Sequence, residues 1–392
     1  MPPFIAPIRL RSLVHEAARK VTWLELFFDL MFVAAIAQVA APLRDDYSVA
    51  GLVRFVPLFL LIWLAWTGHT AYATRFDTDD LVQRGLTLVQ MFTVAVMAAN
   101  ARDALDSRSS AGFAAAYGVV RLLLVAQYAR ARHVRGAGPL ATRYALGHGV
   151  AALIWLASAL VPAPPRFIAW AVAFVIDLGT PWAAVPHSVT APPDAAHLPE
   201  RFGLFTLILL GESVAAVMHG MESQENWPVE AALCALLGMT SLFLIWWWYF
   251  DGVEAVAEQH VRSGREALRF HVWAYAHFPL CLGIVIVGVG IQRIVTAASH
   301  SLLASGETGL AASGAALVML SMSLISATSR RGTGQARPGL LVPVAVAALV
   351  LVAGVGTPAV KPLVLAVGLA FTLLLQLGLA LSPGRSMPLR RA

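Results

Sequence analysis

The chain has 392 residues, of which 58% are hydrophobic and only 13% charged, with a mean hydropathy of +0.72. A soluble domain carries about 25% charged residues, so a soluble enzyme, a coiled coil and a disordered chain are excluded, and a polytopic membrane protein remains. The net charge of +6 would point to nucleic acid in a soluble protein, but here the basic residues sit in short loops between apolar runs, and no nucleic-acid partner is expected.

A membrane helix needs about 20 mostly apolar residues. The sequence predicts an all-α transmembrane bundle of twelve spans, near 22–43, 51–72, 81–100, 111–131, 141–161, 166–186, 200–220, 229–250, 269–295, 309–328, 338–355 and 360–381. The stretch before the first span, Met1 to Lys20, is basic and polar, so no cleavable signal is expected. The sixth span is broken by Pro181 and Pro186, and the eleventh is short and Gly-rich. Residues 187–199 are Pro-rich and polar and read as a cytoplasmic linker between a first six-helix half, 1–186, and a second, 200–392. Period-two alternation is absent, which excludes barrel strands. Cys234 and Cys281 fall inside apolar spans and read as small buried hydrophobes.

The basic residues orient the spans. With the N-terminus inside, 20 of the 28 Lys and Arg fall in cytoplasmic segments, seven in outer segments, and one, Arg121, within a span. That bias predicts a multi-pass membrane protein, its bilayer the one partner expected, with both termini in the cytoplasm. The oligomeric state is not legible.

A shift of 183 residues places Asp29 on Glu212, Leu61-Ile62-Trp63 on Leu244-Ile245-Trp246, and Trp66 on Tyr249. The pattern suggests a parallel six-plus-six internal repeat; chance matching among apolar residues is the plain alternative.

Ionisable groups in hydrocarbon are costly and usually face a bundle interior or a cavity. Those within the spans are therefore the candidates for binding substrate or an ion. Glu25 and Asp29 lie four apart on one helical face. Two charged carboxylates there would repel, so one holds a proton or meets a cation; the plainer reading puts Glu25 at the interface and buries only Asp29. Glu212 sits mid-span after Gly211, and its partner must come from another helix. His69 ends the second span and Asp251 the eighth, after the aromatic run Trp246 to Phe250. His271 and His277 are six apart and do not share a face, which argues against a two-histidine zinc site on that helix. No metal or cofactor is expected. Arg121 and Asp177 sit at similar depth in spans four and six and are expected to form a structural ion pair.

The run Arg19-Lys20-Val21-Thr22-Trp23-Leu24-Glu25-Leu26-Phe27-Phe28-Asp29-Leu30-Met31-Phe32-Val33 resembles the opening signature of the bacterial low-temperature-requirement A (LtrA) family. Met31 stands where that signature usually reads valine. Glu200-Arg201-Phe202-Gly203, Gly211-Glu212-Ser213, Trp247-Trp248-Tyr249-Phe250-Asp251 and His271 through Pro279 resemble the family too, and the likeness is weakest after about residue 300. The resemblance implies a polytopic membrane protein named for a cold-growth phenotype, with no agreed reaction. Its signature residues coincide with Glu25, Asp29, Glu212, Asp251, His271 and His277.

Three functions fit these readings. The first is a secondary transporter or proton- or cation-coupled permease of an unknown small molecule. The second is a membrane-embedded enzyme on lipid-like substrates, although no Asp-rich phosphate motif, HExxH or nucleophile elbow is present. The third is a non-transporting sensor of cold or membrane state. No P-loop is present either, which argues against a self-powered ATPase.

Overall fold

A computed structural model describes residues 3–11, 21–78, 80–106, 109–252, 261–298, 301–329, 341–357 and 359–381. Arg19 and Lys20 of the signature, and Arg108, Arg330, Arg331, Arg337, Arg385, Arg390 and Arg391 of the charge tally, lie outside the described residues. In hydrocarbon every backbone polar group needs an internal partner, and a helix supplies it within one segment. Accordingly the described chain is built of twelve α-helices and two short strand pairs.

In chain order the elements are β1 (Arg9–Leu10), α1 (Trp23–Asp45), α2 (Val49–Ala73), β2 (Phe76–Asp77), α3 (Leu81–Ala99), α4 (Ser110–Ala131), α5 (Gly138–Ala159) and α6 (Pro165–Ala183). Then follow α7 (His197–Glu222), α8 (Val229–Gly252), α9 (Gly264–Ala297), β3 (Leu303–Ala304), α10 (Ser305–Ser329), α11 (Leu341–Gly356), β4 (Ala359–Val360) and α12 (Pro362–Leu381). Ten of the helices are long and apolar enough to cross a membrane. The other two are α5, whose first half carries Arg143 and His148, and α11, at 16 residues. Pro181 lies inside α6 without ending it.

The chain divides into two compact units. Unit 1 comprises Met1–Pro42, Arg54–Arg201 and Glu258–His271, and unit 2 comprises Leu43–Val53, Phe202–Ala257 and Val272–Ala392. Residues 187–199 belong to unit 1 and hold a 3-10 turn, Val185–His187, and the start of α7.

In unit 1, α4 packs between α3 and α5, and α5 packs on α6. The segment 3–11 is strapped to this unit. β1 pairs antiparallel with β2, Arg9 opposite Asp77. Ala6 N–H donates to Asp80 Oδ2 (2.9 Å), Leu81 N–H to the Pro3 carbonyl (3.0 Å), and Arg11 N–H to the Arg75 carbonyl (3.0 Å). Asp80 also caps α3 through the Gln83 N–H (2.6 Å) and binds Arg130 Nη2 of α4 (2.6 Å). Burial works against its charge, but the Ala6 and Gln83 N–H groups and the Arg130 guanidinium outweigh it and hold the carboxyl below the usual carboxylate range.

In unit 2, α8 packs against α12 and α10 against α11. Thr308 of α10 donates to the Gly354 carbonyl of α11 (2.7 Å), and Ser213 of α7 to the Ile284 carbonyl of α9 (3.2 Å). Large apolar side chains such as Phe92, Leu153, Val175, Phe243 and Leu374 point outward, as suits a protein whose solvent is lipid tails.

Candidate functional site

The site in unit 1 starts from a capping box at the head of α1. Thr22 Oγ1 accepts the Glu25 N–H (3.3 Å), and Glu25 Oε2 accepts the Thr22 N–H (2.8 Å) and hydroxyl (3.0 Å). This is the reciprocal S/T-x-x-E arrangement that satisfies orphan N–H groups at a helix start. It fixes the Glu25 side chain over the first turn. Its other oxygen, Oε1, lies 3.2 Å from His197 Nε2 and 3.2 Å from Arg201 Nη1, the latter an ion pair without hydrogen-bond alignment.

His197 and Arg201 are four apart on α7 and so share a face. Asp194 accepts the N–H groups of Ala196 (3.0 Å) and His197 (2.9 Å) and fixes the entry to α7. One turn beyond Glu25, Asp29 is fully buried. It accepts Arg201 Nη2 on Oδ1 (2.5 Å), Arg201 Nε on Oδ2 (3.2 Å), and Trp66 Nε1 of α2 on Oδ1 (2.7 Å). The carboxylates of α1 thus meet a shared cation, Arg201. Neither Arg201 nor His197 is legible from hydropathy: His197 precedes the span read at 200–220, and Arg201 stands at its very start, where a basic residue reads as interfacial. The signals that carry them are the i, i+4 spacing of His197 and Arg201, and the Thr22-x-x-Glu25 box.

Beside Glu25 lies a cavity of about 590 Å³, formed by the start of α1, the end of α2 and the first turns of α3. Of the seven residues expected to bind substrate or an ion, Glu25 and His69 line it. Phe28 and His69 form its inner wall, stacked with ring centroids 3.9 Å apart. Tyr72 and Phe76 add an aromatic side, and Arg11 from the strap and Arg84 from α3 add two guanidiniums. Behind it, Gln90 and Gln127 stand next to the His69 ring; His69 Nδ1 and both amides are buried without a well-aligned hydrogen bond.

A second buried network lies in the same unit. Asp177 of α6 accepts Arg121 Nε (2.6 Å) and the Tyr117 hydroxyl (2.8 Å) on Oδ2, and His148 Nδ1 of α5 (2.7 Å) on Oδ1. Arg121 Nη2 donates to the Tyr117 oxygen (2.7 Å) and Nη1 to the Leu64 carbonyl of α2 (3.3 Å). Gly68 makes room: a Cβ there would come within 2.9 Å of Arg121 Nη1. This network joins α2, α4, α5 and α6, and only Arg121 and Asp177 were singled out from the sequence.

The other named residues are not among those lining the cavity. His271, at the edge of unit 1, donates Nδ1 to the Ala267 carbonyl (2.7 Å) and packs its ring on Trp182. In unit 2, Glu212 is a quarter exposed and pairs with Arg44 Nη2 (3.0 Å). His277 is buried; its Nδ1 donates to the Trp273 carbonyl (2.9 Å), leaving Nε2 to accept the Tyr249 hydroxyl (3.1 Å), with Phe202 and Trp273 against the ring. Asp251 is exposed near the end of α8. The repeat-related pairs are therefore used differently: Trp66 binds Asp29, whereas Tyr249 binds His277. Among the described residues no group of three or more His, Cys, Asp and Glu side chains is placed to hold a metal ion.

These helices, with ionic networks held inside and apolar side chains outside, define a multi-pass membrane protein. The family described as bacterial low temperature requirement A protein (LtrA) matches residues 20–375, and the chain belongs to it. A protein of Rhizobium meliloti (strain 1021), described as uncharacterized, is 28% identical over 284 residues, 69% of this chain and 68% of the relative. No solved structure matches the chain.

Proposed function

We propose that the chain is a secondary transporter of a small molecule in the bacterial cytoplasmic membrane, with the unit 1 cavity as its substrate site and both termini in the cytoplasm. The observation that carries this reading is the cavity itself. Its volume lies in the range of small-molecule sites, roughly 300–1,000 Å³, and it sits at one end of helices that are long and apolar enough to cross a membrane. With the termini inside, the cavity opens on the cytoplasmic side, since it lies at the start of α1.

Glu25 joins the cavity to the ionic centre. It faces the cavity on one side and holds His197 and Arg201 on the other. Protonation of Glu25 removes the charge that faces the Arg201 guanidinium and alters its contact with His197, so a proton taken up there gives the cavity wall two states. That is what proton coupling needs, because a ligand shifts a conformational equilibrium only through differential interaction with its two states. His69 positions the substrate, and Asp29 anchors Arg201.

The test is flux in proteoliposomes loaded with a pH indicator and offered small organic acids, amino acids and amines. The expected result is protein-dependent proton movement with at least one class. Glu25→Gln should abolish that movement while leaving substrate exchange across the membrane in place. Silence across all classes, in both proton movement and exchange, overturns the reading.

A further inference from the structure

Helices α2, α3 and α4 bring three uncharged polar side chains together at the inner end of the unit 1 cavity. Leu64 and Gly68 of α2 lie against Arg121 of α4, Gly68 also against Leu124, and the Tyr72 ring meets that of Tyr128 at 5.2 Å. This run sets His69 level with Gln127. On α3, Gln83, Thr87 and Gln90 follow at i, i+4 and i+7 and share one buried face. Arg130 Nη1 of α4 donates to Gln83 Oε1 (3.4 Å), which turns that face toward α4. Gln83, Thr87 and His69 line the cavity, and Gln90 and Gln127 stand behind them beside the His69 ring. Both glutamines are fully buried. Each amide offers two donors and two lone pairs, yet both ends of both amides, and His69 Nδ1, have no well-aligned hydrogen bond. A buried amide left unpaired is costly, and protein interiors hold few of them. Leucine would fill either position without that cost, so packing alone does not account for the two glutamines.

We infer that His69, Gln90 and Gln127 form the recognition end of the cavity and bind a neutral group that both donates and accepts hydrogen bonds: a carboxamide, a urea or a lactam. Such a group matches an amide partner for partner. An ion carried to the same place would lose its hydration with no opposite charge among the three side chains to replace it. A group with acceptors alone would leave lone pairs of the glutamines unanswered. The apolar body of the ligand lies against Phe28, Tyr72 and Phe76. The His69 ring stands between the cavity and the two amides, and it turns from its stack on Phe28 as the polar group enters. The inference rests on the transport reading for the use of the site, but binding itself needs no gradient.

The test measures equilibrium binding to the full chain in nanodiscs, with empty nanodiscs as the blank for partition into lipid. Three probes share one frame: 2-naphthamide, methyl 2-naphthoate and 2-naphthoate. The amide donates and accepts, the ester only accepts, and the carboxylate carries a charge. The amide is expected to bind saturably and the other two at least tenfold more weakly. Gln90→Leu and Gln127→Leu should each weaken amide binding about tenfold. The same substitutions should leave the melting temperature of the ligand-free protein unchanged or raised, since each removes an unpaired amide. A glutamine kept only for structure would do the opposite. Absence of saturable amide binding at millimolar concentration overturns the proposal. So does equal or tighter binding of the ester or the carboxylate, amide binding that both leucine variants leave unchanged, or a melting temperature that falls in both. Amide binding with silence in the flux test would sink the transport reading and leave this site standing; flux of acids or amines without amide binding would do the reverse.

Discussion

Arg201 grips Asp29 as a fork, Nη2 on one carboxylate oxygen and Nε on the other, with both residues fully buried. Removing one partner of such a pair leaves an uncompensated buried charge and costs about 3–5 kcal/mol, whereas removing both costs far less. Arg201→Gln and Asp29→Asn should each destabilise the purified protein strongly. The double variant should recover much of the loss. Denaturant titration of all four proteins, followed by far-ultraviolet circular dichroism, checks this; simply additive losses would contradict the pairing.

The Asp177 network makes a graded prediction. Asp177→Asn leaves Arg121 without its counter-charge and should cost several kcal/mol, by the same reasoning. Tyr117→Phe removes one hydrogen bond each to Arg121 and Asp177 and should cost about 1–3 kcal/mol. Gly68→Ala forces the Arg121 guanidinium to move and should cost about 1–3 kcal/mol through overpacking. The same titrations rank the three. A Gly68→Ala protein as stable as the parent would show that α2 has room which the close approach denies.

Asp80 sets a pH dependence. Its folded-state pKa is lowered, so its contribution to stability is present above the unfolded carboxylate pKa and is lost as pH falls through the folded value. Asp80→Asn should therefore be less stable than the parent near neutral pH, and the gap should narrow on acidification. Melting temperatures of both proteins across an acid series test this. A gap that stays constant or widens toward low pH would mean that the carboxylate charge is not what holds the strap.

Orientation is testable with introduced thiols. Cys234 and Cys281 are buried and in no disulfide, so they give little background. Asp103, between α3 and α4, and His133, between α4 and α5, are both exposed. In intact cells a membrane-impermeant maleimide should label Asp103→Cys, and it should reach His133→Cys only after permeabilisation. The opposite pattern would invert the topology proposed from the basic residues.

The bundle was legible because hydrocarbon permits few architectures, and runs near twenty apolar residues announce it. The partners were less so. Asp29 stood out as a costly charge, but Arg201 lies 172 residues away in sequence, and only folding brings the two together. Glu25 carried a local signal, the Thr22-x-x-Glu25 box, which a search for buried charge passes over. His148 reads as one polar residue within the fifth span, and only the packing of α5 places it on Asp177. The strap is invisible to periodicity, since two residues of β1 pair with two of β2 and no pattern of that length can be read.

The separation of 172 residues between Arg201 and Asp29 also has a consequence in time. At roughly 5–20 residues per second, α1 leaves the ribosome about ten to thirty-five seconds before its counter-charge is made. An aspartate at the centre of a lone inserting helix costs about 2.5–3.5 kcal/mol, and Asp29, in the second turn of α1, bears a part of that cost. For that interval α1 carries a carboxylate without the guanidinium that meets it in the folded protein. The ion pair of the first helix is thus completed by the seventh, and a ribosome stalled between them leaves behind a fragment in which Asp29 lacks its counter-charge.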